Sequence, residues 1–236
     1  MISIFTSELI GTLFLILLGN GVVANVVLKD TKGHQSGWMV ITFGWAIAVF
    51  LGVIIASGSG GHLNPAVSLA MLIKGTISST QFLEYIIGQM LGAILGASTV
   101  YLMYKDHYNK TDDVGLKLAT FSTAPAIRNN ISNLISEIIG TFVLVFGVLM
   151  LPSATNDIGG LVALPVAIIV LGIGLSLGGT TGYAINPARD LGPRIAHSIL
   201  PIKNKGKSDW SYAWIPVLGP LLGGTFATYL HIFLTS

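Results

Sequence analysis

Two very long stretches of this chain carry no charged position. From Gly33 to Ile73 there are 41 residues without Lys, Arg, Asp or Glu, and from Ile158 to Ala188 there are 31. About 20 helical residues cross a bilayer core, so each stretch holds one span and leaves room for something shorter. In both, the apolar run is interrupted by the same tripeptide, Asn64-Pro65-Ala66 and Asn186-Pro187-Ala188. Pro lacks an N–H and is best tolerated at the first helical position, and Asn before it is a favoured N-cap. Each tripeptide therefore reads as the start of a short helix that begins inside the membrane.

The uncharged runs predict six spans: Leu9 to Leu28, Trp38 to Ser57, Tyr85 to Tyr104, Ile138 to Met150, Leu161 to Gly178 and Ser211 to Leu234. The fourth is short and is expected to extend back to Ile131, which places Glu137 inside a span. The linkers are Lys29 to Gly37, Lys105 to Asn130, Leu151 to Gly160 and Pro201 to Trp210, none long enough for a soluble domain.

The halves repeat. Ser7-Glu8-Leu9-Ile10-Gly11-Thr12-Leu13 recurs as Ser136-Glu137-Ile138-Ile139-Gly140-Thr141-Phe142, and Gly88 and Gly92 of the third span correspond to Gly219 and Gly223 of the sixth. Each half is two spans, a broken short helix and a third span. An odd number of spans forces the halves into opposite orientations, so the expected fold is a single all-α membrane domain of residues 1–236. It has six transmembrane helices and two re-entrant half-helices in inverted repeats, about 1–104 and 131–236, joined by the loop 105–130. Inversion brings the short helices together at the midplane, N-terminus to N-terminus. Non-helical backbone at that depth must be enclosed by protein or line a wet cavity, so Ser57 to Leu63 and Gly178 to Ile185 are expected to line a pore. Gly58, Gly60, Gly61, Gly178, Gly179 and Gly182 would permit that path. A pair of Pro-kinked spans in a bundle is the plainer alternative, but it does not call for the same tripeptide at matched places.

Composition removes other classes. The chain is 52% hydrophobic and 9% charged with a mean hydropathy of +0.77, against roughly 25% charged in soluble domains. A net charge of +2 without a dense basic run argues against nucleic acid. With no Cys there are no disulfides, thiolate nucleophiles or Cys-based metal sites, and no cofactor or metal is expected. The start, MISIFTSELIG, lacks the basic region of a signal peptide and carries Glu8, so the first segment is expected to be retained.

Along nearly its whole length the sequence resembles the major intrinsic proteins, the aquaporins and glycerol facilitators. The residues that carry the resemblance are Gly61-His62-Leu63-Asn64-Pro65-Ala66-Val67, Gly182-Tyr183-Ala184-Ile185-Asn186-Pro187-Ala188-Arg189-Asp190 and the Glu-x-x-Gly-Thr repeat of the first and fourth spans. The resemblance implies the aquaporin fold and a multi-pass passive channel of the cell membrane. It also implies a homotetramer with one pore per subunit. The tighter match is to aquaglyceroporins, whose outer constriction has four positions. One is Arg189; another, His in water-selective members, is Gly174 here. Tyr183 and Asp190 also agree with glycerol facilitators. The fourth position lies on the second span. Counting back twenty residues from Asn64 lands on Gly44, and one inserted residue would bring Phe43 into register, so Phe43 is the expected filter residue with Trp45 next.

The expected mechanism follows from these groups. Asn64 and Asn186 offer amide donors at the pore centre, and each half-helix N-terminus carries roughly +0.5 of an elementary charge, which opposes cations and protons but not neutral solutes. Arg189 presents a planar fork of donors to adjacent hydroxyls, while Phe43 and Tyr183 face the hydrocarbon edge. The alternatives are an interface anchor for Arg189, ordinary packing for the aromatics and a helix contact for Gly174. Glu8 and Glu137 need a role because intramembrane carboxylates are costly. The resemblance gives them backbone N–H groups of the re-entrant loops to bind, and a proton relay is the alternative. His62 is expected to brace its loop or offer its carbonyl, and Asp190 to set shape. Gly88, Gly92, Gly96, Gly219 and Gly223 suit close helix contact. The resemblance also places both termini in the cytoplasm, which leaves Lys74 inside and nine basic residues in linkers outside, against the positive-inside tendency.

The function expected is passage of glycerol and other small uncharged solutes with some water. Urea, dihydroxyacetone, hydrogen peroxide and undissociated small acids are further candidates. A water-selective channel is the first alternative and an ion-coupled secondary transporter the second, which would need a free carboxylate facing the pore. A scaffold is disfavoured by short linkers, and an enzyme by the lack of any nucleophile, base and orienting group together.

Overall fold

The computed structural model describes residues 2–151 and 161–236, and it is helical with no strand among them. Its helices are α1 Ile4–Val27, α2 Trp38–Ile55, α3 Pro65–Ile73, α4 Ser79–Lys110, α5 Val114–Ala119, α6 Asn130–Met150, α7 Leu164–Ser176, α8 Pro187–Ile199 and α9 Ile215–Thr235. The short helices α3 and α8 start at the Pro of each repeated tripeptide. The linker expected from Leu151 to Gly160 lies, apart from Leu151, outside the described residues.

Five of these helices, α1, α2, α4, α6 and α9, are long and apolar enough to cross a membrane, and the apolar segment Leu161–Ser176 is shorter. Capping sets boundaries that charge counting misses. Ser3 Oγ accepts the Thr6 N–H at 3.1 Å, so α1 begins well before Leu9. Ser78 and Gln81 form a reciprocal capping box that starts α4 before Tyr85. The linker Lys105 to Asn130 is also more ordered than expected. Helix α4 continues past a kink at Tyr104 to Lys110, and Asp113 then caps α5.

The two halves pack alike. A Cβ at Gly92 of α4 would stand 2.3 Å from Leu9 O of α1, and one at Gly223 of α9 would stand 2.3 Å from Ile138 O of α6. Gly88, Gly96 and Gly219 are nearly as tight, with a hypothetical Cβ 2.6–2.7 Å from α1 or α6. Glycine lets these backbones meet, the close contact that stabilises helices where lipid offers no hydrophobic drive. The outer faces carry exposed apolar side chains such as Leu102, Met103, Ile131 and Phe233, a perimeter suited to acyl chains.

Candidate functional site

The site begins with two Asn caps. Asn64 Oδ1 accepts the Ala66 N–H at 2.9 Å, and Asn186 Oδ1 accepts those of Ala188 and Arg189 at 3.0 and 3.1 Å. The amide nitrogens cross between repeats: Asn64 Nδ2 donates to Ile185 O and Asn186 Nδ2 to Leu63 O, both at 2.8 Å. The half-helices thus meet N-terminus to N-terminus, and each amide NH2 keeps a second donor beyond the one it uses.

The carbonyls are aimed by backbone strain held in place by two carboxylates. Leu63 and Ile185, the residues before each Asn, have φ of 52° and 42°, and Tyr183 has 39°. Such angles in bulky or β-branched residues cost of order 1–3 kcal/mol each and persist only when the surroundings enforce them. Glu8 accepts the N–H groups of His62 and Leu63 at 3.0 and 2.7 Å, with Ser59 Oγ and Gln89 Nε2. Glu137 accepts those of Ala184 and Ile185 at 3.0 and 2.8 Å, with Thr181 Oγ1. Of the glycines expected to permit these loops, Gly60, Gly61 and Gly182 have positive φ, whereas Gly58, Gly178 and Gly179 do not. Part of the unusual path therefore falls on Leu63, Tyr183 and Ile185. His62 is braced: its Nδ1 lies 3.1 Å from Ser68 Oγ and its ring stacks on Tyr85 at 4.0 Å.

A cavity of about 190 Å³ runs past these caps, from Gly60 and Met71 on one side to Trp45, Tyr183 and Arg189 on the other. Phe43 is not part of it. Its side chain is 48% exposed on the outer face, whereas Trp45 is buried with its ring 4.0 Å beneath the Arg189 guanidinium. Residues two apart on a helix point in nearly opposite directions, so only one of this pair can face inward. Trp45 has the room because α1 offers Gly19, where a Cβ would fall 2.2 Å from the indole.

Gly174 differs from expectation too. It does not line the cavity, and the room left by its missing side chain is filled by Tyr183. A Cβ at Gly174 would stand 2.9 Å from Tyr183 Cζ and 3.0 Å from its hydroxyl. Trp38 completes the wall, donating to Gly174 O at 3.0 Å and meeting the Tyr183 ring edge-on.

Arg189 is buried, yet among the described residues its side chain makes one hydrogen bond, Nη1 to Phe121 O at 3.3 Å, and no carboxylate lies within ion-pair distance. Phe121 O also accepts from Asn20 Nδ2 at 3.3 Å. Asp190, next in sequence, turns away. Its Oδ2 accepts the Thr123 N–H and hydroxyl, both at 2.7 Å, and its Oδ1 pairs with Arg194. Sequence reasoning missed Arg194, Thr123, Phe121 and Asn20. The first could have been found as the partner of Asp190 four residues on, a spacing that faces side chains on a helix. The others lie at ordinary positions of a linker or span and give no signal.

Beside the site, Arg128 pairs through both nitrogens with Asp209 across two linkers. Burial alone would raise the Asp209 carboxyl, but hydrogen bonds from Arg128 and Ser211 and the Arg128 charge hold it below its ordinary value.

The family described as Major intrinsic protein matches residues 1–231. The chain is 56% identical over 221 residues to a glycerol uptake facilitator protein of Streptococcus pneumoniae, covering 93% of this chain and 94% of that one. It is 52% identical over 223 residues to the glycerol uptake facilitator protein of Bacillus subtilis, covering 94% and 81%. Among solved structures, the aquaglyceroporin from Plasmodium falciparum matches with a TM-score of 0.82 and 31% identity, covering 96% of this chain and 93% of that one.

Proposed function

This chain belongs to the major intrinsic protein family, and on that footing we propose that it is a passive channel for glycerol and similar small uncharged solutes, with some water. The observation that carries the reading is the surroundings of Arg189. A guanidinium has five N–H donors in a planar fork, one is taken by Phe121 O, and the cavity it borders is flanked by the rings of Trp45 and Tyr183. Free donors beside aromatic surface match a polyol, whose hydroxyls lie along one edge and whose carbons lie along the other. At the centre, the second donor of each Asn amide serves a passing hydroxyl oxygen.

Ions are opposed by the same groups. Two helix N-termini facing one point, each worth roughly +0.5 of a charge, and an arginine without an anionic partner among the described residues raise the energy of a cation or proton there. The cavity lining contains no carboxylate among the described residues, which leaves an ion-coupled transporter without a binding group. By kinship with the family we assign the protein to the cell membrane as a homotetramer with one pore per subunit. The Trp45, Tyr183 and Arg189 constriction then lies toward the outside.

The test is stopped-flow light scattering on liposomes holding the purified protein, under a glycerol gradient and separately under an impermeant osmolyte. Fast, non-saturating glycerol entry with ion-tight vesicles is expected. Fast water flow without glycerol entry would make it a water channel, and saturable, ion-dependent flux would make it a transporter.

A further inference from the structure

Arg194 is fully buried, and each of its five N–H donors has a partner. Nε donates to Asp190 Oδ1 at 2.9 Å, and Nη2 to the same oxygen at 2.7 Å and to Thr123 O at 3.0 Å. Nη1 donates to Ser208 O at 2.8 Å and Asp209 O at 3.1 Å. One side chain thus ties the half-helix α8 to two separate linkers. Asp190 closes the ring by accepting the Thr123 N–H and hydroxyl. Thr123 is held from three directions, and it lies two residues from Phe121, whose carbonyl is the single acceptor for the Arg189 side chain among the described residues. Nearby, Ala126 N donates to Thr180 O and fastens the same segment to the re-entrant loop.

We infer that Asp190, Arg194 and Thr123 form a positioning device that fixes the Phe121 carbonyl and, through it, the angle at which Arg189 presents its free donors to solute. The inference rests on reading Arg189 as the residue that selects. Two features carry it. A buried ion pair is a costly way to hold a fold together, since well-packed apolar groups often serve as well. Moreover, the pair spends three of its contacts on Thr123, in the short segment whose Phe121 carbonyl meets Arg189. Without the clamp, the guanidinium swings from Phe121 O into the lumen and obstructs a polyol more than a water molecule. Asp190 and Arg194 touch no solute in this scheme.

The discriminating quantity is the ratio of glycerol to water permeability in one liposome preparation, because it does not depend on how many channels have folded. Arg194→Lys keeps the charge and loses the bridging. It should lower the ratio by roughly three- to tenfold, the worth of about one net hydrogen bond. Arg189→Val should lower the ratio by itself, and adding Arg194→Lys to it should change nothing further. If Arg189→Val shifts the ratio while Arg194→Lys reduces both fluxes in proportion, Arg194 is a structural residue and the inference fails, with the filter intact. If neither shifts it, the filter reading fails and takes the inference with it. Should Arg194→Lys not yield folded protein, Thr123→Val is read instead. It removes only the hydroxyl bond to Asp190, so the ratio should fall in the same direction and return with Thr123→Ser. An unchanged ratio in Thr123→Val beside a shifted one in Arg189→Val would overturn the inference.

Discussion

Arg189 and Arg194 stand on the same short helix, five residues and so about 140° apart around its axis, and both are buried. Every donor of Arg194 is engaged, and its charge is met by Asp190. Arg189 uses one donor among the described residues and has no anionic partner. A buried charge is tolerated only when paired and hydrogen-bonded or when it borders water, so the two residues meet the same cost differently. One is satisfied by protein and organises it; the other is left to be satisfied by whatever occupies the cavity. The matched position of Arg189 in the first repeat is Val67, and that of Asp190 is Ser68, which bonds His62 and Gln89 instead of a second arginine. The inverted repeats therefore share their Asn caps and carboxylate struts, but only the second carries a buried arginine at this position.

The comparison can be broken at its satisfied member first. Arg194→Ala leaves Asp190 buried without its counter-charge and should destabilise the fold by about 3–5 kcal/mol, seen as lost monodisperse protein or a lowered unfolding temperature in detergent. Arg189→Val removes a charge that protein hardly supports, so its unfolding temperature should stay near that of the parent. Its glycerol-to-water permeability ratio should nevertheless fall by roughly ten- to a hundredfold, since hydrogen bonds to a charged group contribute about 1.5–3 kcal/mol. Equal loss of stability in the two variants would erase the distinction.

The aromatic beneath Arg189 sharpens the contrast. Gly19→Val would drive a methyl group into the Trp45 indole, since even a Cβ falls 2.2 Å from the ring. Displacing Trp45 costs Arg189 its cation–π contact, about 0.5–2 kcal/mol, and glycerol entry should slow several-fold while Arg194 and its partners stay in place. Unaltered glycerol flux in a folded Gly19→Val protein would mean that the indole is not part of the constriction.

The outer pair Arg128 and Asp209 gives the smallest effect. Because the Asp209 carboxyl is held below its ordinary value, its contribution is fully present above the unfolded value of 3.8 and is lost as pH falls through the lower folded value. The Arg128 side chain is 50% exposed, so screening keeps the pair under about 1 kcal/mol. Arg128→Ala should slightly lower the unfolding temperature at pH 6, with the difference shrinking as pH falls below 3.8. A constant difference across that range would assign the stability to packing.

Much of this arrangement was legible in the sequence, for a physical reason. Uncharged length, Asn-Pro caps and a duplicated Glu-x-x-Gly-Thr are local signals that must be present wherever backbone bends inside a membrane, and they place the spans, half-helices and struts. Register across a loop is not local. The count from Asn64 back to α2 passes through the turn at Ser57–Ser59, and it selected Phe43 where the inward residue is Trp45. Gly174 was readable as a missing side chain, but not as room taken by Tyr183, because no pattern links residues on two segments. Thr123 and Phe121 lie in a linker with nothing to separate them from their neighbours. Arg194 carried one weak signal, its spacing from Asp190.

The central claim is that Arg189, Trp45 and Tyr183 admit glycerol because Gly174 lets the Tyr183 ring form the cavity wall. It is tested most directly by stopped-flow glycerol and water permeabilities of the double variant Gly174→His with Tyr183→Thr, the second change removing the ring that a side chain at 174 would strike. The account predicts glycerol entry reduced to the level of empty liposomes with water flow retained. Undiminished glycerol entry in the folded double variant would contradict it.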